Sequence, residues 1–322
     1  MIDITLDNFQ ADLIDASATQ PVLLDIWAEW CGPCKQLGPV LEKLERDYDG
    51  RFLLAKLDAD KVPQISQQLS QMFGVRSIPF CVMFSGGQPV DGFVGAIPEP
   101  QIREFLDKHV PAEDELASAE DVDEAQDLLA SGDTEAALAK LQEALAINPA
   151  NDDARFDYVR LLIGAGHLEE AGAALQPALV QIPVQLRFEA LSNWRAALEF
   201  VEGDPRRDWS VEQFDAKIAE NKRDFDTRFA KSRVLMARNE WTAAMDELLE
   251  IIMRDKKWSE EAPRKAYVAI LELLSPPKPK PGADASGKTA GGIEITGKAA
   301  MVEDPQAALV SSYRRKLSMA LN

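Results

Sequence analysis

The sequence predicts a small α/β layered domain followed by an all-α domain of stacked helical repeats. Over residues 1–110, short apolar runs of strand character alternate with amphipathic stretches of helical period. Beyond residue 118 strand signals stop, and alanine-rich helical patterns recur at a spacing of 34 residues. At 322 residues the chain is too long for one ordinary small domain, and at 46% hydrophobic content it can bury more than one core.

Within the first 110 residues, Asn8 to Ser17 reads as a helix with Phe9, Leu13 and Ile14 on one face. Val22 to Ala28 is a near-continuous apolar run, the pattern of a strand covered on both faces. Lys35 to Tyr48 is amphipathic through Leu37, Val40, Leu41 and Leu44, with Pro39 expected to kink it. Phe52 to Leu57 reads as a second central strand and Pro63 to Phe73 as a helix. Phe80 to Phe84 and Val90 to Val94 flank Ser85-Gly86-Gly87-Gln88, a hairpin signal, and Pro98 to Val110 closes the unit as a helix.

An acidic linker is expected over residues 111–118 and helical repeats over 119–274. Gly132, Ala137, Leu141, Ala144 and Pro149 recur as Gly166, Ala171, Leu175, Ala178 and Pro183. A more degenerate copy shows Leu235, Asn239, Ala244, Leu248 and Ile251, and Val184 to Lys222 reads as a divergent helix pair. Residues 275–303, rich in Pro, Gly and Lys, are expected to be a flexible segment. Residues 304–322 are expected to hold a C-terminal helix, with Asp304 as N-cap and Pro305 in its first turn.

The 54 acidic and 35 basic residues leave a net charge of −19, which is unevenly spread. Residues 111–183 carry 16 acids and three bases, whereas residues 275–322 carry four acids and seven bases. Such a chain is a poor general binder of nucleic acid, whose affinity rests on neutralised phosphates. No apolar run approaches the ~18 residues of a membrane span. Met1-Ile2-Asp3-Ile4 has no leader character, so no membrane partner and a cytoplasmic location are expected.

The chemistry centres on Trp30-Cys31-Gly32-Pro33-Cys34, placed where a buried strand meets a helix. Two cysteines so spaced at a helix N-terminus can close a disulfide, and the unpaired N–H groups there lower the first thiol's pKa. Cys31 is then the exposed attacking thiolate and Cys34 the more buried resolving thiol. The alternatives are a structural pair or half of a zinc site. Zinc takes about four ligands, and the sequence has no second Cys-x-x-Cys and no histidine pair. No metal and no cofactor beyond a Cys31–Cys34 disulfide is expected. Asp25 lies inside the apolar strand, where a carboxylate is costly; it is read as a buried proton carrier for Cys34, the alternative being exposure at a strand edge. Trp30 is read as part of a docking surface and Trp27 as core. Cys81, in an apolar strand, is packing or a second redox-sensitive thiol.

Leu24-Asp25-Ile26-Trp27-Ala28-Glu29-Trp30-Cys31-Gly32-Pro33-Cys34-Lys35 closely resembles the active-site segment of the thioredoxin family. Ile78-Pro79 falls at the family's cis-proline, and Asp91-Gly92-Phe93-Val94-Gly95 resembles its closing strand and glycine turn. The resemblance covers residues 1–110 and implies the thioredoxin fold. It also implies a cis Pro79 beside Cys31, with Gly32 and Pro33 in the binding site, and Lys56 as the partner of Asp25. The repeat period resembles the tetratricopeptide repeat.

A thioredoxin domain followed by such repeats, and closed by Ser312-Tyr313-Arg314-Arg315-Lys316-Leu317, resembles the chaperedoxins (the CnoX or YbbN group). That resemblance implies a redox-active holdase that binds unfolding or oxidised client proteins. It would protect or reduce their cysteines and pass them to chaperonin (GroEL-type) and Hsp70 systems. Tyr313, Arg314, Arg315 and Leu317 would serve chaperonin docking. The competing reading is a dedicated thiol-disulfide oxidoreductase whose repeats recruit one native partner.

Overall fold

The computed structural model describes residues 1–276 and 304–321. The described residues divide into two compact units, one of Met1–Leu116 and a second that begins at Ala117 and takes in the last helix. The predicted class, an α/β layered domain followed by an all-helical domain, is the one observed. The flexible segment expected over 275–303 lies, from 277 onward, outside the described residues.

The first unit is built on a five-stranded sheet of order β1-β3-β2-β4-β5. Its strands are β1 (Ile2–Asp3), β2 (Val22–Trp27), β3 (Leu53–Asp58), β4 (Phe80–Ser85) and β5 (Gln88–Val94). β1, β3 and β2 run parallel, and β4 and β5 are each antiparallel to the preceding neighbour in the sheet. The central β2 is buried on both faces, which explains an apolar run interrupted only by Asp25. Gly86 and Gly87 join β4 to β5 with φ of 60° and 75°, the left-handed pair that a two-residue hairpin requires. Asn8 to Ser17, expected as one helix, is instead a π-helical turn (Phe9–Asp15) running into a 3₁₀ turn (Ala16–Ala18).

The period-2 alternation of the strands sorts their side chains between two cores. Val22, Leu24, Ile26, Ala55, Leu57, Phe80 and Val82 pack with Ile65 and Leu69 of α2 (Pro63–Phe73). On the other face Leu23, Leu54, Cys81 and Met83 pack with Leu37, Leu41 and Leu44 of α1 (Gly32–Asp47). Ile102, Phe105 and Leu106 of α3 (Glu99–Leu106) complete that core. Gly92 of β5 sits where no side chain fits: a Cβ would lie 2.8 Å from the Cys81 carbonyl oxygen and 3.0 Å from the Phe80 ring. The first obstacle is backbone of the central sheet and cannot swing away. Gly92→Ala is expected to destabilise the first unit by about 1–3 kcal/mol, read from denaturant midpoints; an unchanged midpoint would contradict the close packing.

The second unit takes in α4 (Glu113–Ser131) from Ala117 onward, then α5 (Thr134–Ile147), α6 (Asp152–Gly164), α7 (Leu168–Leu179) and α8 (Leu186–Gly203). It continues with α9 (Val211–Glu220), α10 (Phe225–Ala237), α11 (Trp241–Arg254), α12 (Ala262–Leu274) and α13 (Pro305–Leu321). Residues 113–118, expected within an acidic linker, are helical: Glu113, Asp114 and Glu115 occupy the first turn of α4, where acidic side chains meet the positive end of the helix dipole. The repeat has a physical signature at its turns. Asp133, His167 and Glu240 each donate a backbone N–H five residues back, to Leu128, Leu162 and Leu235. Each turn is made by a residue at positive φ, Gly132 (88°), Gly166 (83°) and Asn239 (60°). This is one helix-ending motif used three times, with Asn substituting for Gly as the next residue to tolerate that conformation. Ala137, Leu141, Ala144 and their counterparts Ala171, Leu175 and Ala178 are fully buried between helices, as are Ala244, Leu248 and Ile251 in the third copy. Val184 to Lys222, read as a divergent helix pair, holds α8 and α9.

Candidate functional site

α1 begins at the motif. Cys31 is its N-cap in extended conformation, Pro33 lies in the first turn where its fixed φ suits a helix start, and the Cys34 N–H points back at Cys31 Sγ at 3.2 Å. An N–H directed at sulfur, with the positive end of a 16-residue helix behind it, favours a thiolate at Cys31 when the pair is reduced. Here the two cysteines form a disulfide with Cα atoms 5.3 Å apart. They pack with Ala28, Trp27 and Ile78. The unequal exposure expected of the two thiols is absent in this oxidised state: both residues are 3% exposed, because each sulfur covers the other and Ile78 and Trp27 close around them. The exposed element is Trp30, 71% open to solvent, its indole N–H donating to Asp60 Oδ2 at 2.9 Å. Nothing lies within 4 Å of a Cβ added at Gly32, so the motif's backbone faces open space.

The Ile78–Pro79 peptide is cis, and the Pro79 carbonyl accepts from the Gly95 N–H at 2.8 Å. This ties the loop before β4 to the end of β5 and holds Ile78 against the disulfide.

Behind the disulfide, sheet register aligns three chemically active side chains. Asp25 on β2 pairs with Lys56 on β3 and with Cys81 on β4, so all three project from the face that α1 covers. Asp25 is 1% exposed, which excludes the strand-edge alternative. Burial raises its pKa to about 6, opposed by the Lys56 charge and by the Cys81 thiol, whose Sγ is 3.8 Å from Asp25 Oδ1. Lys56 makes its direct ion pair with Glu42 of α1 at 2.5 Å. Its Nζ lies 3.7 Å from the position of a Gly38 Cβ, one helical turn after Cys34, so a larger residue at 38 would press on the amine. Sequence reasoning missed Glu42, Asp60 and Ile78. Glu42 and Asp60 carry no local signal in the sequence, and tertiary packing brings them to Lys56 and Trp30.

The C-terminal residues expected to bind a partner separate by helical period. Val310, Tyr313 and Leu317 line one face of α13 and are buried in the core formed with α11 and α12. The Tyr313 carbonyl accepts from the Tyr267 hydroxyl at 2.8 Å. The expectation that Tyr313 and Leu317 form a docking surface is therefore corrected for the helix as seated: they anchor it, whereas Arg314 and Arg315 face solvent.

A thioredoxin family model matches residues 1–108. The thioredoxin of Chlorobaculum thiosulfatiphilum is 45% identical over 103 residues, which cover 90% of that protein and 32% of this chain. The chain belongs to the thioredoxin family. Thioredoxin 1 of a Nostoc species is 38% identical over 107 residues, covering 94% of that protein and 33% of this chain. The thioredoxin of Pseudomonas aeruginosa is 38% identical over 110 residues, covering 96% and 34% respectively. Two tetratricopeptide repeat models match residues 128–194 and 206–280. The chain is thus a thioredoxin-type redox protein fused to tetratricopeptide repeats, an arrangement that implies interaction with substrate or client proteins. Thioredoxins act through their own active-site disulfide and need no cofactor. Among the described residues no cluster of His, Cys, Asp or Glu could hold a metal ion, and no helix is long and apolar enough to cross a membrane.

Proposed function

We propose that the chain is a redox-active holdase of the chaperedoxin kind, acting in the cytoplasm. The observation that carries this reading is an intact redox disulfide in one chain with a repeat unit that leaves apolar side chains in solvent. Val180 is 73% exposed and Ile182 98%. Nearby opens a cleft in which Leu179, Val184, Leu186 and Val268 are mixed with Glu189, Glu261, Arg264 and Lys265, a lining that can take an apolar segment with polar flanks. The electrostatics of the first repeats point the same way. Their three bases are engaged internally: Lys140 with Asp121, Glu124 and Glu143, Arg155 with the carbonyls of Pro149 and Ala174, and Arg160 with Asp157. That leaves an acidic surface, which favours apolar or basic clients over acidic tails.

The redox half is disulfide exchange with Cys31 and Cys34 reduced. The Cys31 thiolate attacks a client disulfide, forming a mixed disulfide and releasing one client thiolate. Cys34 then gives its proton to Asp25, and its thiolate attacks Cys31 Sγ. The second client sulfur leaves and is protonated, so two electrons have passed to the client and the chain holds the Cys31–Cys34 disulfide. Lys56 keeps Asp25 within reach of both protonation states. Trp30 and the Pro79 loop form the surface along which the client segment lies.

The test is aggregation of a client that lacks cysteines. The double variant Cys31→Ser, Cys34→Ser is expected to suppress its aggregation as well as the unchanged chain does; loss of suppression would sink the holdase reading. Delivery to a chaperonin and to the Hsp70 system belongs to the same proposal, with Arg314 and Arg315 as the exposed docking residues of α13. Reversing both to Glu leaves the buried anchors in place, a cleaner probe of chaperonin co-purification than removing the helix.

A further inference from the structure

Cys81 is not used by the exchange chemistry above, yet it is placed where that chemistry is controlled. It is fully buried on β4, directly across from Asp25 in the antiparallel register. Its Sγ lies 3.8 Å from Asp25 Oδ1, within reach of a sulfur hydrogen bond. The remaining surroundings of the carboxylate are sparse in polar groups. From β3 comes Lys56, from α1 comes Glu42 through its ion pair with Lys56, and the rest of that face is apolar, with Leu23, Leu37, Met83 and Phe105. Cys81 therefore supplies a neutral hydrogen-bond donor to a carboxylate whose other stabilising partner among the described residues is Lys56, a cation shared with Glu42.

We infer that Cys81 is a positioning residue for the thiol exchange: its S–H donates to Asp25, holds the carboxylate rotamer and favours its ionised, proton-accepting form. The inference deepens the redox half of the proposed function and rests on it. The thiol suits the role because it remains a donor. Burial first, and the Asp25 charge second, push its own pKa well above that of an ordinary thiol, so it does not ionise over the range in which Asp25 titrates. A buried valine would fill the space and offer no donor, whereas a serine would offer a stronger one.

The test uses the full chain and two variants, Cys81→Val and Cys81→Ser. The Asp25 midpoint is read by carboxyl carbon NMR, alongside the pH profile of insulin disulfide reduction. In Cys81→Val the midpoint is expected to rise from about 6 by roughly half a pH unit or more, with the acid limb of the rate profile moving by the same amount. Cys81→Ser is expected to hold the midpoint at or below its original value. An unmoved midpoint in Cys81→Val overturns the inference, as does an equal rise in both variants, which would mark a packing effect. Absence of insulin reduction by the unchanged chain would instead overturn the redox reading, and the NMR titration would still decide the Cys81 contact.

Discussion

Cys34→Ser is expected to leave the chain covalently joined to its clients. Cys31 stands at the helix N-terminus, where the thiolate that attacks is stabilised, and Cys34 is the group that must release the mixed disulfide. A serine hydroxyl is nearly isosteric with the thiol but is far too weak an acid to act as the second nucleophile at neutral pH. Turnover in insulin disulfide reduction should fall by roughly three orders of magnitude or more, while adducts sensitive to dithiothreitol accumulate on non-reducing gels. Retained turnover would show that Cys34 is not the resolving thiol. The identity of the adducts also discriminates between functions. Many unrelated proteins trapped in cells fit a holdase, whereas one dominant adduct would favour a dedicated oxidoreductase with a single native partner.

Asp25→Asn is expected to make the protein more stable and its chemistry slower. The folded-state pKa of Asp25 is raised to about 6 from 3.8, chiefly by burial. Between those two values the unfolded chain has lost the proton that the folded chain retains, so stability falls as pH rises from about 4 to about 6 and stays lower above that. A rise of that size corresponds to a penalty of up to about 3 kcal/mol at pH 7. Asparagine removes the ionisation and keeps an oxygen acceptor opposite Cys81. Unfolding free energies of the variant and the unchanged chain, from denaturant melts, should coincide near pH 4 and separate by that amount at pH 7.5. With Asp25 proposed as the proton acceptor of Cys34, exchange is expected to slow about tenfold or more. Equal stability at both pH values would mean that Asp25 is not held protonated by its surroundings.

Where one local rule dominates, the sequence was sufficient. The near-continuous apolar run of β2, the Gly86-Gly87 turn and the Cys-x-x-Cys at a helix start each follow from local rules that a few adjacent residues satisfy. The 34-residue repeat was legible for the same reason, because Gly132 and Gly166 are required by a left-handed turn and Ala137 and Ala171 by close helix contact. What escaped reading was set by tertiary partners. β1 is two residues long and carries no periodicity of its own; it exists because Ile2 and Asp3 pair with Ala55 and Lys56. Glu113 to Glu115 fall within the stretch read as an acidic linker, yet a helix N-terminus is the place where acids are favoured. Arg155 looks like a surface base in the sequence, but it is buried and bonds to two backbone carbonyls. Tyr313 and Leu317 read as partner contacts only through the family resemblance of the closing helix; within this chain they are covered by α11 and α12.

The six tryptophans are divided between the units in a way that makes the protein its own optical sensor. Trp27 packs against the disulfide and Trp30 is next to Cys31 in sequence. Trp194 and Trp241 meet edge to face at 5.6 Å, Trp209 lies against Phe214, and Trp258 lies against Phe225 and Phe229, all in the helical unit. A disulfide quenches a nearby excited indole by accepting its electron, so the first pair dims on oxidation and brightens on reduction. The other four have no disulfide beside them among the described residues, and their emission tracks the packing of the repeats. Fluorescence from unlabelled protein thus separates into a redox signal from one unit and a folding signal from the other.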